Sequence, residues 1–266
     1  MFMCVFITLA SFRKNYIQII LLIFCMGLFG KIIISTINII SDLTSNSNLV
    51  NRLHHYRIKI TGKIKSYSDL ELVYNPSFFD RTIEDESPTA AKVTDVLMKH
   101  LKPTTLIDVG CGCGIYLSQF RKRGVDVIGY DGSRFAVEKA LVPKDLIKVF
   151  DLRNPLNPDK RYDICICFEV AEHMDEKYAE TLVNSLTQCS DTVVFTAALP
   201  GQGGTSHVNE KPQEYWIDLF KKKNYIFEST LTSKIKNEFI ENDIIWWLVQ
   251  NIMIFNKHDN LPSNSV

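Results

Sequence analysis

The sequence carries no excess of either charge: thirty Lys and Arg balance thirty Asp and Glu. A general nucleic-acid binder needs a basic surplus to neutralise phosphates, so nucleic acid is not an expected partner. No C-x-x-C spacing is present either. The cysteines Cys4, Cys25, Cys111, Cys113, Cys165, Cys167 and Cys189 are odd in number, and the close pairs Cys111/Cys113 and Cys165/Cys167 are C-x-C. That spacing is too short for an ordinary disulfide and poor for a zinc knuckle. Reduced thiols in a cytosolic compartment are expected, and no metal site. Compositional bias is also missing. With 46% hydrophobic, 23% charged and 11% aromatic residues, the chain is neither disordered, collagenous nor low-complexity. Its 266 residues suit two domains, or one α/β domain with an appendage.

What the sequence does have is a concentration of apolar residues at its start. Ile19–Gly30 reads IILLIFCMGLFG without a polar side chain, and Ile32, Ile33 and Ile34 extend the run past Lys31. Tyr16–Ile34 is about the ~20 residues that cross a bilayer as a helix. An amphipathic core helix would show a polar face, and this run shows none. Residues 1–41 are therefore expected to be a hydrophobic helix that anchors the protein in the membrane. The basic residues after the run mildly favour a cytoplasmic C-terminal side, with the folded domain facing the cytosol. A helix packed on the soluble domain is the alternative, and would leave the protein cytoplasmic. Residues 42–86, with the polar stretch SDLTSNSNLVN, read as linker and lead-in, and residues 87–266 as the folded domain.

From Ser87 the pattern alternates. Ser87-Pro88 reads as a helix start, followed by Val93, Val96, Leu97, His100 and Leu101 at helical spacing up to Pro103. Strands are predicted at Leu106–Gly110, Val125–Asp131, Leu146–Asp151, Asp163–Val170 and Thr192–Ala197, with helices between them. Such alternation implies a doubly wound parallel sheet covered on both faces. Beyond Pro200 the rhythm changes to a Gly-rich loop, a helix near Tyr215–Lys223, and two strands near Tyr225–Glu228 and Ile252–Phe255. These last two could close the sheet as an antiparallel hairpin.

Asp108–Gly114 (DVGCGCG) lies at the first strand-to-helix turn, where doubly wound sheets bind ligands. The pattern is G-x-G-x-G, whereas a dinucleotide fingerprint is G-x-G-x-x-G, with Ile115 at its last position. Asp131 ends the second strand, where a carboxylate can accept from both hydroxyls of a ribose. Asp151 ends the third and could accept from an adenine amine. Three acids at successive strand ends around one glycine loop point to an adenosyl ligand.

Taken in order, LIDVGCGCG, GYDGS, FDLRNPL and YDICICFEVAEH resemble the motifs of class I S-adenosylmethionine-dependent methyltransferases. The resemblance spans about Thr105–Ala198. It implies a Rossmann-like fold with a seven-stranded, mostly parallel sheet whose last strand is antiparallel, and S-adenosyl-L-methionine as cofactor. It also implies that Asp108, Gly110, Cys111, Gly112 and Gly114 surround the methionine part. Asp131, Gly132 and Ser133 fall at the ribose, Asp151 and Leu152 at the adenine, and Glu169 at the site of transfer.

The residues after the fourth strand, FEVAEH, lack the Pro-Pro-aromatic and Pro-Cys signatures of nucleic-acid methyltransferases. Glu-x-x-Glu-His resembles small-molecule branches, including quinone and saccharide enzymes. The expected acceptor is therefore an oxygen or nitrogen of a small molecule, such as a saccharide or lipid-linked intermediate. Glu172 and His173 are candidates for the acceptor pocket, against a plain helix start and a surface histidine. His207, in the loop after the fifth strand, is a candidate general base, against a positioning role. A nicotinamide-dependent oxidoreductase and a non-catalytic membrane-tethered binding module remain as rival readings.

Overall fold

The computed structural model describes residues 73–258. The apolar run at Tyr16–Ile34 lies outside them, and among the described residues no helix is long and apolar enough to cross a membrane.

The elements follow in chain order as α1 (Pro76–Leu101), β1 (Thr105–Val109), α2 (Ile115–Lys122), β2 (Asp126–Asp131), α3 (Arg134–Glu138) and β3 (Ile147–Val149). Then come β4 (Ile164–Cys167), α4 (Ala179–Cys189), β5 (Thr192–Phe195), α5 (Gln213–Lys221), β6 (Tyr225–Phe227), α6 (Ser229–Glu241), α7 (Trp246–Asn251) and β7 (Met253–Lys257). The seven strands form one sheet in the order β3-β2-β1-β4-β5-β7-β6. The first five are mutually parallel, and β7 runs antiparallel to both β5 and β6.

Burial on both faces follows from the period-two alternation of side chains along a strand. Ile107, Cys165, Cys167, Val193 and Phe195 point to the layer of α4 and α5. Leu106, Ile164, Ile166 and Val194 point to the layer of α1, α2 and α6. Cys165 and Cys167 are free, fully buried thiols that pack as small hydrophobes.

Two expectations need correction. The first helix starts at Pro76, well before Ser87. Asn75 caps it by accepting the Phe78 amide at 3.1 Å, and Pro76 occupies the first turn, where its missing N–H costs nothing. Ser87-Pro88 carries the same start signal but lies inside the helix, because the apolar stripe continues through Phe79, Ile83 and Ala90 and the burial of Phe79 outweighs one lost backbone bond. The two closing strands are also no hairpin. Helices α6 and α7 separate them, and β7 inserts between β5 and β6.

The switch point of the sheet lies between β1 and β4, and a crevice opens there beyond the carboxyl ends of the strands. Gly129 in β2 sets the fit of the adjoining loop: a Cβ there would stand 2.5 Å from Cys111 Sγ and 2.6 Å from Leu117 Cδ1. Gly129→Ala should therefore destabilise the protein by about 1–3 kcal/mol through overpacking. Urea unfolding checks this, and an unchanged midpoint would show that the loop and α2 yield freely.

Candidate active site

The crevice is a cavity of about 380 Å³. Its floor is the glycine loop between β1 and α2, and its walls come from the ends of β2, β3 and β4 and from the first half of α1. Gly110, Gly112 and Gly114 all have positive φ (86°, 51° and 77°). The need is steric at Gly110, where a Cβ would lie 2.2 Å from Val170 Cγ2. At Gly112 the space where a Cβ would stand meets only Phe79, at 3.7 Å, so the backbone there is open to a ligand. The loop is tied to β2 by the amides of Gly110 and Cys111, which donate to the Tyr130 carbonyl at 2.7 and 3.1 Å.

Asp131 sits at the end of β2. One carboxylate oxygen accepts the Gly112 amide at 2.9 Å and the other the Ser133 amide at 2.8 Å. Burial pushes its carboxyl up to about 6, while the two amides pull it back. Asp108 is only 3% exposed and its Oδ2 has no hydrogen-bond partner among the described residues. Burial, with Asp131 and Glu86 nearby, pushes its carboxyl well up. Gly132 and Ser133 both line the cavity, and Ser133 is fully buried from solvent. The Ser133 hydroxyl caps α3 and donates to the Tyr74 carbonyl at 2.9 Å, so it is already engaged.

Leu152 and Asp151 both line the cavity. Asp151 stands just past β3, not within it, and its carboxylate takes a two-pronged bond from Arg153 at 2.7–3.1 Å. Burial alone would raise this carboxyl, but the guanidinium holds it below the ordinary carboxylate range. An adenine amine would therefore share Asp151 with a cation. Glu169 follows β4 in the left-handed region (φ 51°), an uncommon conformation for a residue with a side chain. Its amide donates to Thr196 Oγ1 at 2.9 Å, and its carboxylate accepts from Asn251 at 2.9 Å and Gln202 at 3.2 Å.

The three acceptor-side residues come together, but only His173 lines the cavity. Glu172 is fully buried, with its carboxyl beside that of Glu169 and close to the Glu172 and Ala198 backbone. Burial and the nearby Glu169 push its carboxyl well up. His173 meets His207 edge to face, with ring centroids 4.9 Å apart. Burial and that neighbour pull His173 down to about 3. His207 stands behind it, with Nδ1 3.0 Å from Glu210 Oε1. Glu210 also accepts the Gly201 and Gly203 amides at 2.7 Å each, so it clamps the glycine-rich loop as well. Ligating atoms of Glu172, His173 and His207 all lie within 4.8 Å of one another, a set that could hold a metal ion although no metal site was expected. Cys111 and Cys113 line the same cavity but remain protonated thiols: burial pushes Cys113 up to about 12 and Cys111 well up.

Sequence reasoning missed one wall. Tyr74, Phe78, Phe79, Thr82 and Glu86 line the cavity from a stretch read as linker. The signal was available in Asn75-Pro76, a capping residue followed by proline.

Comparison with known proteins agrees with this geometry. Residues 82–247 match the family model described as a methyltransferase domain. The chain is 32% identical over 88 residues to a ubiquinone biosynthesis O-methyltransferase of Rickettsia akari, covering 31% of this chain and 35% of that protein. It is 34% identical over 84 residues to the enzyme of the same name from Rhodopseudomonas palustris, covering 30% and 33%. The matched stretch thus spans about a third of those relatives. In fold, the chain is similar to a plantazolicin methyltransferase solved with a triazolic desmethyl analogue and S-adenosylhomocysteine. The TM-score is 0.51 at 15% identity, over 72% of this chain and 93% of that one.

Glu86 offers a pH test of the missed wall. Burial pushes its carboxyl from 4.5 up to about 7, with Tyr116 opposing and Glu169 adding to the rise. A raised acid contributes stability below its unfolded value and loses it as pH climbs through the folded one. The wild type should lose stability between pH 4.5 and 7 through this group. Glu86→Gln should consequently raise Tm by about 2–6 °C at pH 8 and scarcely at pH 5. Equal effects at both pH values would place the Glu86 carboxyl in water.

Proposed function

Since the chain belongs to the methyltransferase domain family, we propose that it moves a methyl group from S-adenosyl-L-methionine to a hydroxyl oxygen of a small molecule. The observation that carries this reading is the ring formed by the open Gly112 backbone, the unpartnered Asp108 oxygen and the doubly anchored Asp131 around one cavity. These residues fit the donor. Asp131 would hold the ribose hydroxyls with its remaining lone pairs, Asp108 and Gly110 the methionine part, and Leu152 with the Asp151–Arg153 pair the adenine. The family match favours this over a nicotinamide-dependent oxidoreductase, and the name O-methyltransferase carried by the relatives supports oxygen as the acceptor atom.

The donor supplies a methyl group already activated on a sulfonium. The protein has to exclude water and hold the acceptor oxygen in line. The acceptor oxygen gains the methyl, the sulfur keeps the bonding pair, and the hydroxyl proton passes to solvent. Val170 against Gly110, and Phe78 and Phe79 across from them, make the walls that keep the transfer dry.

A second reading adds a divalent cation, favoured by the fully buried Glu172 carboxyl clustered with the ring nitrogens of His173 and His207. A cation bound there would favour the deprotonated form of the acceptor hydroxyl. In this reading His207 is a ligand oriented by Glu210, and not a general base. Mn²⁺ titrated calorimetrically should saturate the wild type and bind Glu172→Gln roughly 10–100-fold more weakly. Equal affinity for both would dismiss the site.

The membrane anchor at residues 1–41 and the cytosolic orientation belong to the same proposal, supported by the length of the Tyr16–Ile34 run and by the cytosolic supply of the donor. Tyr74 to Glu86 are part of the catalytic domain in this scheme, and the linker ends before them. Loss of membrane pelleting on removal of residues 1–41, with S-adenosylhomocysteine binding kept, is the expected outcome.

For the donor site, Asp131→Ala should weaken S-adenosylhomocysteine binding by about 1.5–3 kcal/mol in calorimetry, the scale of bonds to a charged acceptor. Unaltered affinity would remove Asp131 from the ribose.

A further inference from the structure

Tyr74 lies just before the cap of α1, in a stretch with no motif. Its main-chain carbonyl accepts from Ser133 Oγ at 2.9 Å, which fastens this point of the chain to the end of β2. Its ring is held edge to face by Phe78, with centroids 5.0 Å apart, and by His173, with centroids 5.8 Å apart. Packing and backbone therefore place the residue without help from its hydroxyl. That hydroxyl is buried with no hydrogen-bond partner among the described residues, and the residue lines the cavity.

An orphaned buried hydroxyl is costly, and phenylalanine would pack the same ring without that cost. A ligand atom that completes the bond removes the penalty. Asp131, whose electrostatic influence reaches the phenol from the donor side, already takes two backbone amides. The partner is thus sought on the other side, near His173. There the cavity is walled by Tyr74, Phe78, Met174, Tyr178 and Val208, together with the charged Asp175 and Lys177, and the apolar members suit a flat body that carries a polar group.

We propose that Tyr74 donates a hydrogen bond to the acceptor oxygen that receives the methyl group, and that this acceptor is a planar aromatic hydroxyl compound. The inference rests on the methyltransferase reading above. A hydrogen bond donated to an oxyanion favours the charged form, so Tyr74 helps the acceptor shed its proton to solvent before transfer. The ionisable groups that face the phenol are Asp131 on the end of β2 and Glu172 and His173 on the turn after β4, with His207 behind them.

The test uses 4-nitrophenol, whose ionised form absorbs visible light, added to the full-length protein saturated with S-adenosylhomocysteine. The wild type should bind it and raise its ionisation constant relative to free solution. Tyr74→Phe should bind S-adenosylhomocysteine within about twofold of wild type and lower the bound probe's ionisation constant by about 3–10-fold. An unchanged ionisation constant in the variant overturns the role of Tyr74. So does a variant that loses donor affinity, because the hydroxyl then serves the donor. A wild type that binds S-adenosylhomocysteine but not 4-nitrophenol overturns the aromatic acceptor. Failure of the wild type to bind S-adenosylhomocysteine would instead defeat the methyltransferase reading on which the proposal rests.

Discussion

The two bonds that Asp131 accepts, from the amides of Gly112 and Ser133, organise everything around the cavity. One fixes the crest of the glycine loop, and the other fixes the first residue before α3. Because Ser133 in turn holds the Tyr74 carbonyl, the same carboxylate indirectly sets where α1 begins. Three stretches distant in sequence meet at one side chain. A neutral side chain of similar shape would keep some of this geometry but would give the amides a weaker acceptor.

Such an arrangement concentrates acids. Asp108, Asp131, Glu86 and Glu172 are all pushed above the ordinary carboxylate range, each chiefly by burial. No folding advantage explains this, since removing carboxylates from water without a cation destabilises the protein. For the three that line the cavity, Asp108, Asp131 and Glu86, a cationic ligand does explain it. The donor carries a sulfonium and an ammonium, so an acid-rich cavity attracts it, and the loss of a positive charge on transfer weakens the attraction for the product. Asp151 is the exception, because Arg153 pairs with it on the cavity wall.

The sheet was legible because buried parallel strands are short apolar runs bounded by glycines and acids, and LIDVG, DVIGYD and ICIC meet that description. The glycine loop and Asp131 were legible for a related reason: backbone approach and a strand-end carboxylate need particular residue types at particular places. Three things were not. Two capping signals stood close together, at Asn75-Pro76 and Ser87-Pro88, and only tertiary burial of Phe79 decides between them. The insertion of β7 between β5 and β6 leaves no trace in either strand. The fate of polar side chains was hidden as well, since nothing in the sequence says that Asp151 is taken by Arg153 or Ser133 by Tyr74.

The same limit applies to the surroundings of His207, the candidate base. In sequence it is the one imidazole in a mobile-looking loop; in space the loop is tied down. The Glu172 carbonyl accepts the Val208 and Asn209 amides at 2.8 and 3.1 Å, and Glu210 gathers two glycine amides together with His207 itself. A side chain whose Nδ1 is committed to a carboxylate, and whose ring packs against another imidazole, is oriented rather than free to swing to a substrate. Of the two imidazoles only His173 lines the cavity, and its surroundings are built by both loops at once. A change in either loop would move the His173 wall of the cavity while leaving the wall held by Asp131 where it is.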